Sequence, residues 1–210
     1  MKFLSRIMQT GMVAIALVGI ITANYTWVPA ALISLAISTI PAILRKDLRL
    51  VLPLELNFWI VIALFLHVAG GFSGFYDSVP GWDHLTHAMS SSLIAALAFV
   101  VVVALDKYSD RIFLPRPFLA MFISMFTMAI GVVWELMEYA NDKLSGSHLQ
   151  YSLSDTMVDL FFDALAGLIV AIVGAYYLTY TSKEHFIDAM QIDQAKEKMD
   201  QILGSVRQRK

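Results

Sequence analysis

Two histidines and several carboxylates recur at helical spacing along this chain, and together they could hold a cation or move protons. Trp82-Asp83-His84-Leu85-Thr86-His87 sets Asp83 four residues before His87, and His84 three before it. Residues three or four apart share one face of a helix. Trp134-Glu135-Leu136-Met137-Glu138-Tyr139 repeats the pattern with two glutamates. Ser154-Asp155-Thr156-Met157-Val158-Asp159 continues to Asp163, giving a stripe of three aspartates. His67 stands alone at the end of an apolar run. Carboxylates gathered this way repel one another. Two charges about 4 Å apart, at an effective dielectric near 20, oppose each other by roughly 4 kcal/mol. Protonation or a bound cation relieves that cost. Mixed imidazole and carboxylate ligands favour Zn, Mn or Fe over Mg or Ca. The candidate metal ligands are His67, Asp83, His87, Glu135, Asp159 and Asp163. Glu138 and His84 are the candidate general base and acid.

Bland readings exist for some of these groups. Asp83 and Asp155 fall at helix starts, where an acid complements the helix dipole. Ser154 and Thr156 suit helix capping. Glu138 and Asp142 could be simply hydrated. Neither capping nor the dipole accounts for Glu135 or Asp163, which lie further in.

The elements that carry these residues are apolar enough to cross a membrane. The chain of 210 residues is 58% hydrophobic and 15% charged, with mean hydropathy +0.67. That composition predicts an all-α, polytopic membrane protein. Six transmembrane helices are expected, near 7–23, 28–44, 50–70, 84–105, 117–139 and 157–180. No charge occurs between Arg6 and Arg45, which leaves room for two spans joined at Asn24-Tyr25-Thr26-Trp27. Pro29 and Pro41 are expected to start or bend the second span. Residues 1–23 share some features of a signal peptide but lack a clear A-x-A cleavage site.

Charge predicts orientation. Of the fifteen lysines and arginines, all but Lys143 fall on one side of this arrangement, which should be cytoplasmic. Both termini are then cytoplasmic, in a cell (inner or plasma) membrane. The opposite side carries Asp77, Asp83, Glu135, Glu138, Asp142, Asp155, Asp159 and Asp163. The runs 50–66, 88–105, 118–134 and 164–180 each rise about 25 Å. They bring His67, His87, Glu135 and Asp163 to one depth, near the outer edge of the hydrocarbon layer. Ionisable groups there are a functional-site hypothesis by default.

Two parts follow: residues 1–182 as the six-helix membrane domain and 183–210 as a cytoplasmic tail. The loop Gly70–Gly81, rich in glycine and aromatic residues, reads as an outer re-entrant or capping loop. In the tail, Ile192, Ala195, Met199, Ile202 and Val206 form a short heptad stripe. It predicts a short amphipathic helix that is solvated or interfacial, or that joins a second copy or a cytoplasmic partner. The expected surroundings are membrane lipids. Nucleic acid has no support, since the net charge is −2 and no basic stripe exists. With no cysteine, disulfides, thiolate metal sites and cysteine nucleophiles are excluded. No P-loop, nucleophile elbow or zincin motif is present.

WDHLTH, WELMEY and SDTMVDLFFDALAG, with His67 in LHVAGG, resemble the uncharacterised YjdF-like (DUF2238) family of prokaryotic membrane proteins. The likeness covers roughly residues 60–175, and Gly167 fits its last helix. The stretch Ser147–Ser152 departs from the Gly-Asp-rich, Trp-containing loop of many relatives. The layout is also distantly similar to VanZ-like proteins. The resemblance implies a six-helix inner-membrane fold and carries no activity. Three functions stay open: a metal-dependent hydrolase or transferase acting on an outer-leaflet or lipid-linked substrate, an ion- or proton-coupled transporter, and a non-catalytic partner or sensor. For transport, Glu55 and Asn57 are the only polar candidates in the inner halves of spans three to six.

Overall fold

Prolines and glycines set several helix ends in the computed structural model, which describes residues 1–23, 25–52, 54–109 and 114–207. Helix α1 is Lys2–Ile21, and α2 is Val28–Asp47 with Pro29 in its first turn. Proline is tolerated there because its missing N–H has no helical partner anyway. Pro41 lies inside α2 rather than at an end. Helix α3 is Leu54–Ser73. The expected loop at 70–81 instead finishes α3 and contains a single helical turn, α4, Phe75–Ser78. Gly74 and Gly81 flank that turn with φ of 68° and 78°, a conformation glycine adopts without a Cβ penalty. Helix α5 is Trp82–Tyr108, α6 is Arg116–Ser145 and α7 is Leu153–Tyr180. Helix α6 runs six residues beyond the expected end, until Gly146 stops it with φ 71°. Short helices α8, Lys183–Ala189, and α9, Ile192–Arg207, complete the described chain. Asn24 of the expected turn and Arg111 of the basic side lie outside the described residues, as do the side chains of Ile202 and Val206.

Among the described residues, six helices are long and apolar enough to cross a membrane: α1, α2, α3, α5, α6 and α7. Each shows bare apolar side chains that water would disfavour. Met125 on α6 is 63% exposed, Phe161 on α7 61% and Val173 60%. Lipid is the solvent that suits such faces.

The chain packs as two compact units. The first, Met1–Gly74 with Thr181–Lys210, is built on α1, α2 and α3. Its core holds Met12, Ala16, Ala31, Val61 and Val68. Gln9 donates its amide to Ser38 Oγ at 3.0 Å, tying α1 to α2. The tail belongs to this unit: Ile187 and Met190 are buried, and the Val51 N–H donates to Met190 O at 3.0 Å. Of the tail stripe, Ala195 is buried and Met199 is half exposed.

The second unit, Phe75–Tyr180, is a bundle of α5, α6 and α7. Every fourth residue of α6 is buried: Leu119, Ile123, Thr127, Gly131 and Glu135. Helix α7 answers with Asp159, Asp163, Gly167, Ala171, Gly174 and Leu178. Small residues let the two backbones approach closely. A Cβ on Gly167 would lie 2.9 Å from Thr127 Cβ, and one on Gly131 would run into Asp163 Oδ2. The stripe is apolar at the end where α6 begins. It becomes polar where α5 and α7 begin.

Candidate metal centre

The polar end of the second unit brings together side chains from α5, α6 and α7. His87 on α5 is its hub and is 7% exposed. Its Nδ1 lies 3.2 Å from Asp163 Oδ1 and 3.3 Å from Oδ2. Ser91, one turn along α5, donates its hydroxyl to the same Oδ1 at 2.6 Å. An ionised carboxylate only accepts, so Nδ1 carries a proton toward Asp163. Nε2 faces Asp83 Oδ1 at 3.8 Å and Glu135 Oε1 at 3.7 Å. Asp163 is 1% exposed and stands behind the ring, on the proton side.

His84 points to a neighbouring carboxylate. Its Nδ1 lies 2.7 Å from Asp159 Oδ1, and its ring stacks on Phe162 at 5.5 Å. Asp159 is 2% exposed. The donor atoms of Asp83, His87 and Asp159 lie within 4.8 Å of one another, and those of His84, Asp155 and Asp159 do likewise. Asp159 is common to both groups.

Two buried oxygens complete this cluster without hydrogen bonds of their own. Glu135 Oε1 has none, although Thr156 and Gln150 stand beside its carboxylate. Thr156 Oγ1 has none either. Leaving such groups unpaired costs about 1–3 kcal/mol each. The only basic groups in the set are the two imidazoles.

A cavity of about 260 Å³ adjoins the cluster. Asp83, His84 and Asp155 line it, together with Tyr76, Asp77, Trp82 and Tyr151. Tyr151 donates its hydroxyl to Asp77 Oδ1 at 2.9 Å, holding the 146–152 loop against α4. Burial pushes the Tyr76 hydroxyl above the ordinary phenol range, and burial followed by the Asp77 hydrogen bond does the same for Tyr151. Both therefore stay neutral O–H donors at physiological pH.

Glu138, His67 and Asp142 lie in neither donor group. Glu138 accepts from Trp134 Nε1 at 2.9 Å. His67 belongs to the first unit, where its ring meets Trp27 edge-on at 5.9 Å. Asp142 is a loop organiser, accepting from Leu149 N, Gln150 N and Ser147 Oγ at 2.8, 2.9 and 2.7 Å. Ser152, rather than Ser154 or Thr156, caps α7 by accepting from the Asp155 N–H at 3.1 Å. Residues that spacing did not mark include Ser91, Gly131 and the tyrosines of the cavity. Ser91 had a signal, the Ser90–Ser92 run on the polar face of α5. The tyrosines had none beyond the aromatic loop.

The apolar spans agree with the comparisons. The family described as "Predicted membrane protein (DUF2238)" matches residues 4–180. The chain belongs to that family of multi-pass membrane proteins. An uncharacterized protein of Thermotoga maritima is 28% identical over 127 residues, which is 60% of this chain and 64% of the relative. The chain thus matches just under two thirds of that relative's length. No solved structure matches.

Proposed function

We propose that the second unit is a divalent-metal centre at the membrane surface, and that its ion supports hydrolysis or group transfer on a lipid-linked or outer-leaflet substrate. One observation carries this reading: Asp83, His87 and Asp159 converge while the buried Glu135 Oε1 beside them lacks a hydrogen bond. A cation among these four would satisfy the orphan oxygen and offset the carboxylate charge. His87 would bind through Nε2, with Asp163 setting its tautomer from behind. Metal-binding histidines commonly use a carboxylate in this way. Asp163 is then a positioning residue.

The adjoining cavity favours chemistry over a purely structural ion. Structural sites are closed by protein ligands, whereas catalytic sites keep a coordination position open. Here Asp83 belongs to the donor group and also lines the cavity. The ion would polarise a phosphoryl or carbonyl oxygen, or a water molecule, from that side. Glu138 is the candidate proton-transfer group near Asp83 and Glu135.

Transport through the second unit has less support. Beyond Thr127 its buried residues are apolar: Ile123, Leu119, Phe99, Val103 and Ala171. In the first unit, Asn57 donates its amide to Leu52 O at 3.0 Å, a local turn rather than a path. The bias of lysine and arginine supports cytoplasmic termini and an outward-facing centre in a cell membrane.

The test is turnover in detergent micelles against two probe classes, lipid phosphoesters and lipid acyl esters. EDTA-sensitive product release that Asp159→Asn abolishes supports the proposal. Metal-loaded protein inert toward both classes overturns the catalytic reading.

A further inference from the structure

We propose that this centre holds two divalent cations, one among Asp83, His87 and Asp159 and the other among His84, Asp155 and Asp159, with Asp159 bridging them. The inference rests on the metal-centre reading above and adds a second ion to it.

Three observations carry it. First, two three-residue donor groups, each within 4.8 Å, share one aspartate. A carboxylate has two oxygens and can give one to each ion. Asp155, Asp159 and Asp163 follow one another at four-residue intervals on α7, while Asp83, His84 and His87 cover slightly more than one turn of α5. Each helix therefore supplies ligands to both positions. Helical di-metal sites are built in this way, with ligands three or four residues apart on facing helices.

Second, charge favours two ions. Asp83, Glu135, Asp155, Asp159 and Asp163 bring five carboxylates to one place without a lysine or arginine among them. One dication leaves three of them unbalanced; two leave one. Two buried oxygens, Glu135 Oε1 and Thr156 Oγ1, also want a partner. Glu135 is 5% exposed and Thr156 8%. Both sit beside the shared cluster.

Third, His84 is already aimed. Phe162 fixes its plane by stacking, and Asp159 Oδ1 lies 2.7 Å from its Nδ1. A cation in place of the shared proton, roughly 2.1 Å from each atom, requires them to part by less than about 1 Å. His84 and Asp155 also line the cavity. The second ion would thus meet substrate there, and the first would lie deeper, against the buried His87. Paired ions about 3.5–4 Å apart clamp the attacking and leaving oxygens of a displacement. The substrate class that fits them is an oxyanion, of which inorganic phosphate is the simplest probe.

The experiment is Mn(II) titration of chelator-stripped, full-length protein in detergent, read by bound manganese per chain and by electron paramagnetic resonance. The expected result is two ions per chain with an exchange-coupled spectrum. His84→Ala and, independently, Asp155→Asn should reduce this to one ion with an uncoupled six-line signal. Each variant must keep the wild-type circular dichroism and elution volume to count. Inorganic phosphate should perturb the coupled spectrum. One ion per chain, lost in His87→Ala but kept in His84→Ala, overturns the second site and leaves the single-ion centre standing. No bound ion in a folded chain overturns both.

Discussion

The geometry at His87 turns on which ring nitrogen faces which carboxylate. Asp163 takes Nδ1 at 3.2 Å, while Asp83 and Glu135 face Nε2. The two sides predict different consequences. His87→Ala should abolish tight metal binding, because a ligand is gone. Asp163→Asn keeps the size of the side chain but loses the charge that fixes the tautomer. It should weaken metal affinity by about 10–100-fold while leaving full occupancy attainable at high metal concentration. Competition against a fluorescent zinc chelator measures both. Loss of all binding in Asp163→Asn would make Asp163 a ligand. Sequence spacing marked Asp163 and His87 together, because both end apolar runs at a similar depth. It could not separate ligand from support, since that distinction lies in the orientation of a ring.

At the scale of elements, the site depends on how closely α6 and α7 approach. Their buried stripes repeat every third or fourth residue, with glycine where a larger side chain must fit opposite. Gly131 faces Asp163 and Gly167 faces Thr127. Gly131→Ala drives a methyl into Asp163 Oδ2 and should cost about 1–3 kcal/mol. It should also weaken metal affinity, as Asp163→Asn does. Gly167→Ala meets the Thr127 side chain at 2.9 Å, a turn deeper, and should lower stability with affinity kept. Thermal melts in detergent, with and without added zinc, separate the two. The six spans were legible from hydropathy, because each carries a long, mostly apolar run with few charges. Their ends were less so. Helix α6 continues through polar residues to Ser145, since helical hydrogen bonds persist until Gly146 supplies a left-handed stop. The loop at 70–81 hides the single turn α4, too short to carry a periodic signal.

For the whole molecule, the six candidate spans among the described residues fall three to each compact unit. The tail groups with the first unit, which its heptad stripe did not foretell, because the burial of Ile187 and Met190 is a tertiary effect. The absence of cysteine makes orientation simple to test. Ser147→Cys, in the loop beside the centre, should react with an impermeant maleimide in intact cells. Gln194→Cys in α9 should react only after the membrane is opened. The reverse pattern would put the centre on the cytoplasmic side and remove an outer-leaflet substrate. The claim on which the rest depends is that the clustered imidazoles and carboxylates of the second unit hold a metal. Elemental analysis of protein purified without chelator, then re-equilibrated with zinc and manganese, tests it directly. The account predicts at least one equivalent of divalent metal per wild-type chain, and its loss in a folded His87→Ala variant. Wild-type protein that is folded and monodisperse yet retains no metal, or a His87→Ala variant that retains it all, would contradict the account.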